Sequence, residues 1–130
     1  MKLFLARLLI GVVFLVNLQC ALAFLIWPGR YTSAFELTGA LGEAMLRGVG
    51  VLFVMWNVPY AVGLWNPTRH RLSLYEALAM QAIGLLGEMA IYASLHAVHI
   101  VARASIARFI AFDALGLLAL VAAAWLSRKT

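Results

Sequence analysis

Apolar residues in this chain do not alternate with polar ones. They gather into four long runs, over about residues 8–27, 44–65, 74–95 and 106–126. Each run holds roughly 20 residues, the length a helix needs to cross the hydrocarbon core of a bilayer. The pattern predicts an all-α protein, an integral membrane four-helix transmembrane bundle forming one domain over 1–130. Pro28-Gly29 ends the first run and Asn66-Pro67 the second. Between them Arg30 to Gly42 is the longest connection, and Ser33 with Glu36 has capping-box spacing, which predicts a short interfacial helix over 33–41. Ser73 with Glu76 predicts a second box, starting the third span near Leu74. That span is expected to reach Leu95 and to continue helically toward Ala102, with Ser105 capping the fourth. Pro59 inside the second span predicts a kink and a freed carbonyl.

The first run also has the look of a secretory signal peptide, with Lys2 and Arg7 before it and Ala21-Leu22-Ala23 as an A-x-A pattern. The apolar stretch nevertheless continues through Phe24-Leu25-Ile26-Trp27 without a polar break, and Gln19 spoils a lipobox at Cys20. A retained first helix is expected.

Charge then orients the chain. With four spans, Lys2, Arg7, Arg69, Arg71, Arg128 and Lys129 share one side. Arg30 and Arg103 lie on the other, with Arg47 and Arg108 just inside helix ends and Glu36 and Glu43 nearby. The positive-inside rule places both termini in the cytoplasm. Aromatic residues fit two interfacial belts, Trp65, Tyr75 and Trp125 inside and Trp27 and Tyr31 outside.

Composition narrows the class. Of 130 residues 65% are hydrophobic and 12% charged, with a mean hydropathy of +0.98. A soluble domain carries about 25% charged residues, and a chain this short could not hide so much apolar surface in one core. A soluble enzyme, a secreted module and a nucleic-acid binder are all disfavoured. The net charge of +5 does not change this, because the basic residues flank apolar runs instead of forming one stripe. A single cysteine, Cys20, permits neither an internal disulfide nor a thiolate metal site, and reads as a small hydrophobe.

The remaining information lies in polar residues at membrane depth, where a charge costs a few kcal/mol or more unless paired or wetted. Gln81, Glu88, Tyr92, His96, His99 and Arg103 follow steps of seven, four, four, three and four, one face of a continuous helix. Arg47 and Asn57 share a face of the second span with Gly50 and Val54, and Asp113 and Arg108 lie in the fourth. Asn17 and Gln19 sit near the middle of the first. Glu88, Asp113, Arg47 and Arg108 would occupy one outward-facing layer and pair across helices, with Gln81 and Asn57 deeper and Tyr92 and His96 at the mouth. One reading makes these residues structural clamps, with Gly84/Gly87 and Ala107/Ala111 as small-residue seams. The other makes them a ligand or proton pocket, with Glu88 as its acid. His96 and His99, at i and i+3, could offer two imidazoles to one metal, but no further ligand set joins them, so no metal site is expected. No nucleophile–base pair, phosphate loop or HExxH motif can be read, and catalysis is disfavoured without being decided.

The Arg-Leu-Leu-Ile-Gly stretch (Arg7 to Gly11) and the opening Leu46-Arg47-Gly48-Val49-Gly50 of the second span, with size and topology, resemble the DoxX-like group of small four-helix bacterial membrane proteins. The resemblance implies a multi-pass protein of the bacterial cytoplasmic (inner) membrane, and some members of that group are associated with quinone-linked redox complexes. The expected function is that of a non-catalytic accessory or ligand-binding subunit, partnered by the bilayer and by a homo-oligomer or larger membrane complex. No cofactor is called for, and a quinone or lipid is what such a pocket would hold. The alternatives are a proton-coupled transporter or channel using Glu88 and Asp113, and a redox subunit using His96 or His99.

Overall fold

The computed structural model describes residues 1–128. Lys129, counted above among the basic residues of the terminal side, lies outside them. Four helices, α1 (Lys2–Ile26), α2 (Gly39–Trp65), α3 (Arg71–Ser94) and α4 (Ile100–Arg128), account for most of the chain. At about 1.5 Å per residue each is at least ~35 Å long, and all four are long and apolar enough to cross a membrane.

The helices stand in a ring. α1 packs on α2 and α4, and α3 packs on α2 and α4, while the diagonal pairs keep their backbones apart and meet only through side chains such as Phe53 and Phe109. With short connections at alternate ends, this is an up-down-up-down bundle. Its outer surface is apolar: Leu8, Val12 and Leu15 on α1, Met55 and Val58 on α2, Ile83 and Leu86 on α3, and Leu115 and Leu118 on α4 are all exposed. In water such a surface would drive aggregation, whereas lipid solvates it.

The half of the bundle that carries the chain ends is solidly packed. Ala6, Ile10 and Val13 of α1 meet Tyr60 of α2, Leu74 and Ala77 of α3, and Leu120, Ala123 and Ala124 of α4. Arg7 Nε donates to the Leu64 carbonyl at 3.1 Å and Arg128 reaches the Tyr75 hydroxyl at 3.2 Å, so two basic residues tie helix ends together there.

The opposite half is built differently. Two 3₁₀ turns, Pro28–Arg30 and Thr32–Phe35, connect α1 to α2 and fold over the bundle end. The expected capping box does not form. Glu36 adopts a left-handed conformation (φ 57°), and the interfacial segment is 3₁₀ instead of an α-helix over 33–41. That backbone turn sends the Glu36 side chain across to α4, where Oε2 lies 2.6 Å from His99 Nδ1 and Oε1 accepts the Ala102 N–H at 3.3 Å. Donation from His99, then from the Ala102 amide, holds the Glu36 carboxyl below the usual glutamate range.

Helix boundaries also differ from expectation, and α1 begins at Lys2, not near Leu8. α2 begins at Gly39, five residues before Ala44. α3 begins at Arg71 behind His70, with no side-chain cap, so Ser73 and Glu76 sit within its first turns. α3 stops at Ser94, and α4 starts at Ile100, not near Ile106. Arg103 explains the break, because its guanidinium donates to the Tyr92 and Leu95 carbonyls at 2.9 and 2.6 Å and lies 4.0 Å from the Tyr92 ring centroid. A cation on the last carbonyls of a helix ends it well. The Ser105 hydroxyl, freed from capping, donates instead to the Ala34 carbonyl at 2.6 Å and fastens the connector to α4.

Candidate functional site

Above the packed half the helices separate around a cavity of about 250 Å³. Each helix contributes a short i, i+3/i+4 series to its wall: Asn17 and Cys20 from α1, Phe53, Trp56 and Tyr60 from α2, Gln81, Gly84 and Glu88 from α3, and Phe109 and Asp113 from α4. Val16, Met80, Arg108 and Phe112 complete it. The lining is mostly apolar and aromatic with a few polar groups, the composition of small-molecule sites in general.

Its polar groups form one connected line across three helices. The Tyr60 hydroxyl donates to Gln81 Oε1 at 2.5 Å, and Gln81 Nε2 donates to Asp113 Oδ1 at 2.8 Å. The Glu88 carboxyl stands beside that of Asp113 on the same cavity wall. Glycines make this line possible. A Cβ on Gly84 would stand 2.7 Å from Asp113 Oδ2, and one on Gly116 would stand 2.7 Å from Gln81 Nε2. Each helix thus removes a side chain where the other inserts a polar one. Tyr60 and Gln81, 2% and 3% exposed, form the floor of the cavity on top of the packed core.

Aromatic rings close the end toward the connector. Phe53 and Phe109, 6.3 Å apart between centroids, pack on Phe24, and Phe35 of the second 3₁₀ turn packs on Phe24 and Phe109. α3 is the least buried of the four walls beside the cavity. Leu74, Ala77 and Gln81 are its buried residues, and none after Gln81 is buried.

Three buried side-chain polar atoms have no hydrogen-bond partner among the described residues: Trp56 Nε1, Asn57 Oδ1 and Glu88 Oε2. Trp56 and Glu88 both line the cavity. Most buried polar groups in folded proteins are paired, so lining residues that keep an unpaired atom just behind the cavity surface are ones that a small side-chain rotation would bring to a bound molecule.

Of the residues expected from sequence, the structure brings Glu88, Asp113, Arg108 and Gln81 together at this cavity. It does not bring the others. Arg47 is exposed and pairs with Glu43, one turn away, at 3.5 Å. Asn57 is buried beside the cavity but turns its amide back to the Phe53 carbonyl of its own helix at 2.9 Å. Tyr92 packs under Arg103, and His96 is exposed in the turn between α3 and α4. The polar stripe from Gln81 to Arg103 is therefore not one helix face, because the chain turns at 95–99. Among the described residues Glu88 and Asp113 form no cross-helix ion pair with Arg47 or Arg108, and an Arg108 nitrogen instead donates to the Ser105 hydroxyl at 3.0 Å. Asn17 faces the cavity while Gln19 faces outward. Gly84 serves as a close-approach seam, but Gly87 has open space at its Cβ, and Ala107 and Ala111 are exposed.

Neither Trp56 nor Tyr60 is among the residues expected from sequence, and Cys20 is expected only as a small hydrophobe, yet all three line the cavity. The spacing Phe53, Trp56, Tyr60 places three aromatic rings on one helical face, a usable signal. Comparison with known proteins adds no further constraint: no family model, curated protein or solved structure matches this chain.

Proposed function

We propose that this chain is a multi-pass membrane protein that holds a small, membrane-soluble molecule between its four helices, as a binding or accessory subunit without chemistry of its own. One observation carries the reading. The cavity has apolar walls, a hydrogen-bonded floor, and two lining residues, Trp56 and Glu88, that each keep a buried polar atom without a partner among the described residues. A purely structural clamp would satisfy its polar atoms and leave no space.

The volume fixes the scale of the ligand. Drug-sized molecules occupy roughly 300–1,000 Å³, so about 250 Å³ admits one ring or head group, with any tail leaving along α3 into lipid. The charge bias supports cytoplasmic termini. The strings Arg7–Gly11 and Leu46–Gly50 support kinship with the DoxX-like group, and with it residence in a bacterial inner membrane and assembly into an oligomer or larger complex.

The meeting of Glu88 and Asp113 favours one second reading, proton-coupled transport. A transport cycle would have to open the packed layer of Ile10, Tyr60, Leu74 and Leu120 beneath the cavity. The redox reading draws less support, since His99 is engaged with Glu36.

Native mass spectrometry of protein extracted gently from its membrane tests the binding reading. A single bound small molecule is expected, displaced in Val16→Trp, where an indole fills the cavity from the α1 wall. A mass equal to the bare chain, unchanged by Val16→Trp and by added candidate ligands, would refute it.

A further inference from the structure

We propose that the cavity selects lipophilic monocations, an amine or quaternary ammonium attached to one ring-sized apolar body, over neutral or anionic molecules of the same shape. The proposal rests on the reading of the cavity as a ligand site and specifies the charge of its occupant.

Two features of the wall point to a cation. The first is aromatic density: Phe53, Trp56, Tyr60, Phe109 and Phe112 surround the space. Ring faces carry negative electrostatic potential and attract ammonium groups, most strongly where water is excluded. The second is uncompensated acid. Glu88 and Asp113 both face the cavity, yet among the described residues neither forms an ion pair, and the ion pairs the structure does contain are Glu43 with Arg47 and Glu36 with His99. Arg108 is the cationic residue of the lining, and one of its nitrogens is turned to Ser105. When both acids are ionised the lining carries a net charge of one minus, and with one proton on the pair it is formally neutral; in either case Glu88 Oε2 keeps a lone pair that no donor among the described residues uses. An ammonium supplies both the charge and the N–H or polarised C–H donors that this oxygen lacks.

Other ligand classes fit less well. A quinone carbonyl needs donors; Trp56 Nε1 offers one, but the two carboxyls opposite present oxygen to oxygen. An anion meets two acids in a low-dielectric space, where like charges repel strongly. Protonation also bears on the site. The groups facing the two carboxyls are Cys20 from α1, Tyr60 from α2 and Arg108 from α4. Adding protons to Glu88 and Asp113 removes the negative charge, so acidification weakens binding of a cation and leaves a neutral isostere unaffected.

Three matched probes test this on the full chain in phosphatidylcholine nanodiscs, with empty discs as reference. They are benzyltrimethylammonium, its uncharged carbon isostere neopentylbenzene, and the anion phenylmethanesulfonate. Titration calorimetry at pH 8 is expected to show the cation binding at least about ten-fold tighter than the isostere, with the anion weakest. The ratio should fall several-fold in Glu88→Gln. The comparison of probes on the native chain needs no variant to fold. Equal affinity for cation and isostere overturns the charge preference and leaves the ligand site standing. Binding of none of the three also overturns it, and removes the ligand-site reading only if no molecule co-purifies with the chain.

Discussion

The hydrogen bond between Tyr60 and Gln81 joins α2 to α3 at the floor of the cavity, and a double-mutant cycle on it, Tyr60→Phe with Gln81→Leu, reads its strength. Interhelical hydrogen bonds in membrane proteins contribute on average about 0.6 kcal/mol and at most about 1.7, because the unfolded chain in lipid also finds partners. This bond should lie toward the top of that range, since it is 2.5 Å long and joins side chains 2% and 3% exposed. A coupling energy of about 1–1.5 kcal/mol is expected. Gln81→Leu alone should cost more, about 2–3 kcal/mol, because Asp113 Oδ1 then loses its 2.8 Å donor and the Tyr60 hydroxyl its acceptor. In the double variant Tyr60 no longer needs that acceptor, so the second substitution costs less than the first. Equilibrium unfolding in mixed micelles with increasing dodecyl sulfate measures all four species. A coupling below about 0.3 kcal/mol, within the usual additivity of independent sites, would mean that the two residues do not meet as described.

Other consequences can be checked in the same assay. Gly50 lets α1 approach α2, and a Cβ there would stand 2.9 Å from Leu25 Cγ and 3.0 Å from the Ala21 carbonyl oxygen. Gly50→Ala should therefore destabilise by about 1–3 kcal/mol, while Gly48→Ala, whose Cβ meets open space, should be neutral or mildly stabilising. Ser105→Ala removes the 2.6 Å bond to Ala34 and should cost about 1 kcal/mol, seen as faster proteolysis of the 28–38 connector. Hydrogen bonds from His99 and the Ala102 amide hold the Glu36 carboxyl below its unfolded value in the folded chain. Its contribution to stability is therefore present above that unfolded value and is lost as pH falls through the lower folded one. The acid limb of the stability profile should flatten in Glu36→Gln, and an unchanged limb would contradict the clasp.

Much of the fold could be read from the chain because apolar run length is a one-dimensional signal. The four spans and the breaks at Pro28-Gly29 and Asn66-Pro67 needed only local sequence. What escaped depends on contacts between distant residues. Ser33 with Glu36 has the spacing of a capping box, but Glu36 finds a better partner 63 residues away in His99. Ser105 looks like a cap, yet Arg103 closes α3 earlier and α4 begins in the next turn. The site divides along the same line. Glu88, Asp113, Gln81 and Arg108 stood out because each is costly at membrane depth. Trp56, Tyr60 and Cys20 are inexpensive there, and only the packing of four helices reveals that they face the same space. Arg47 was costly only on the assumption that it lay within the span, whereas α2 extends to Gly39 and places it near an exposed end beside Glu43.

Trp56 offers the most direct view of the cavity. A chain keeping it as the sole tryptophan, with Trp27, Trp65 and Trp125 changed to Phe, should show a saturable, one-to-one fluorescence change as a cavity ligand is titrated into nanodiscs. Val16→Trp, in a matching chain with Trp56 itself replaced, should bind no such ligand by calorimetry. Quenching of Trp56 that rises linearly without saturating, as for an indole dissolved in lipid, would contradict the account.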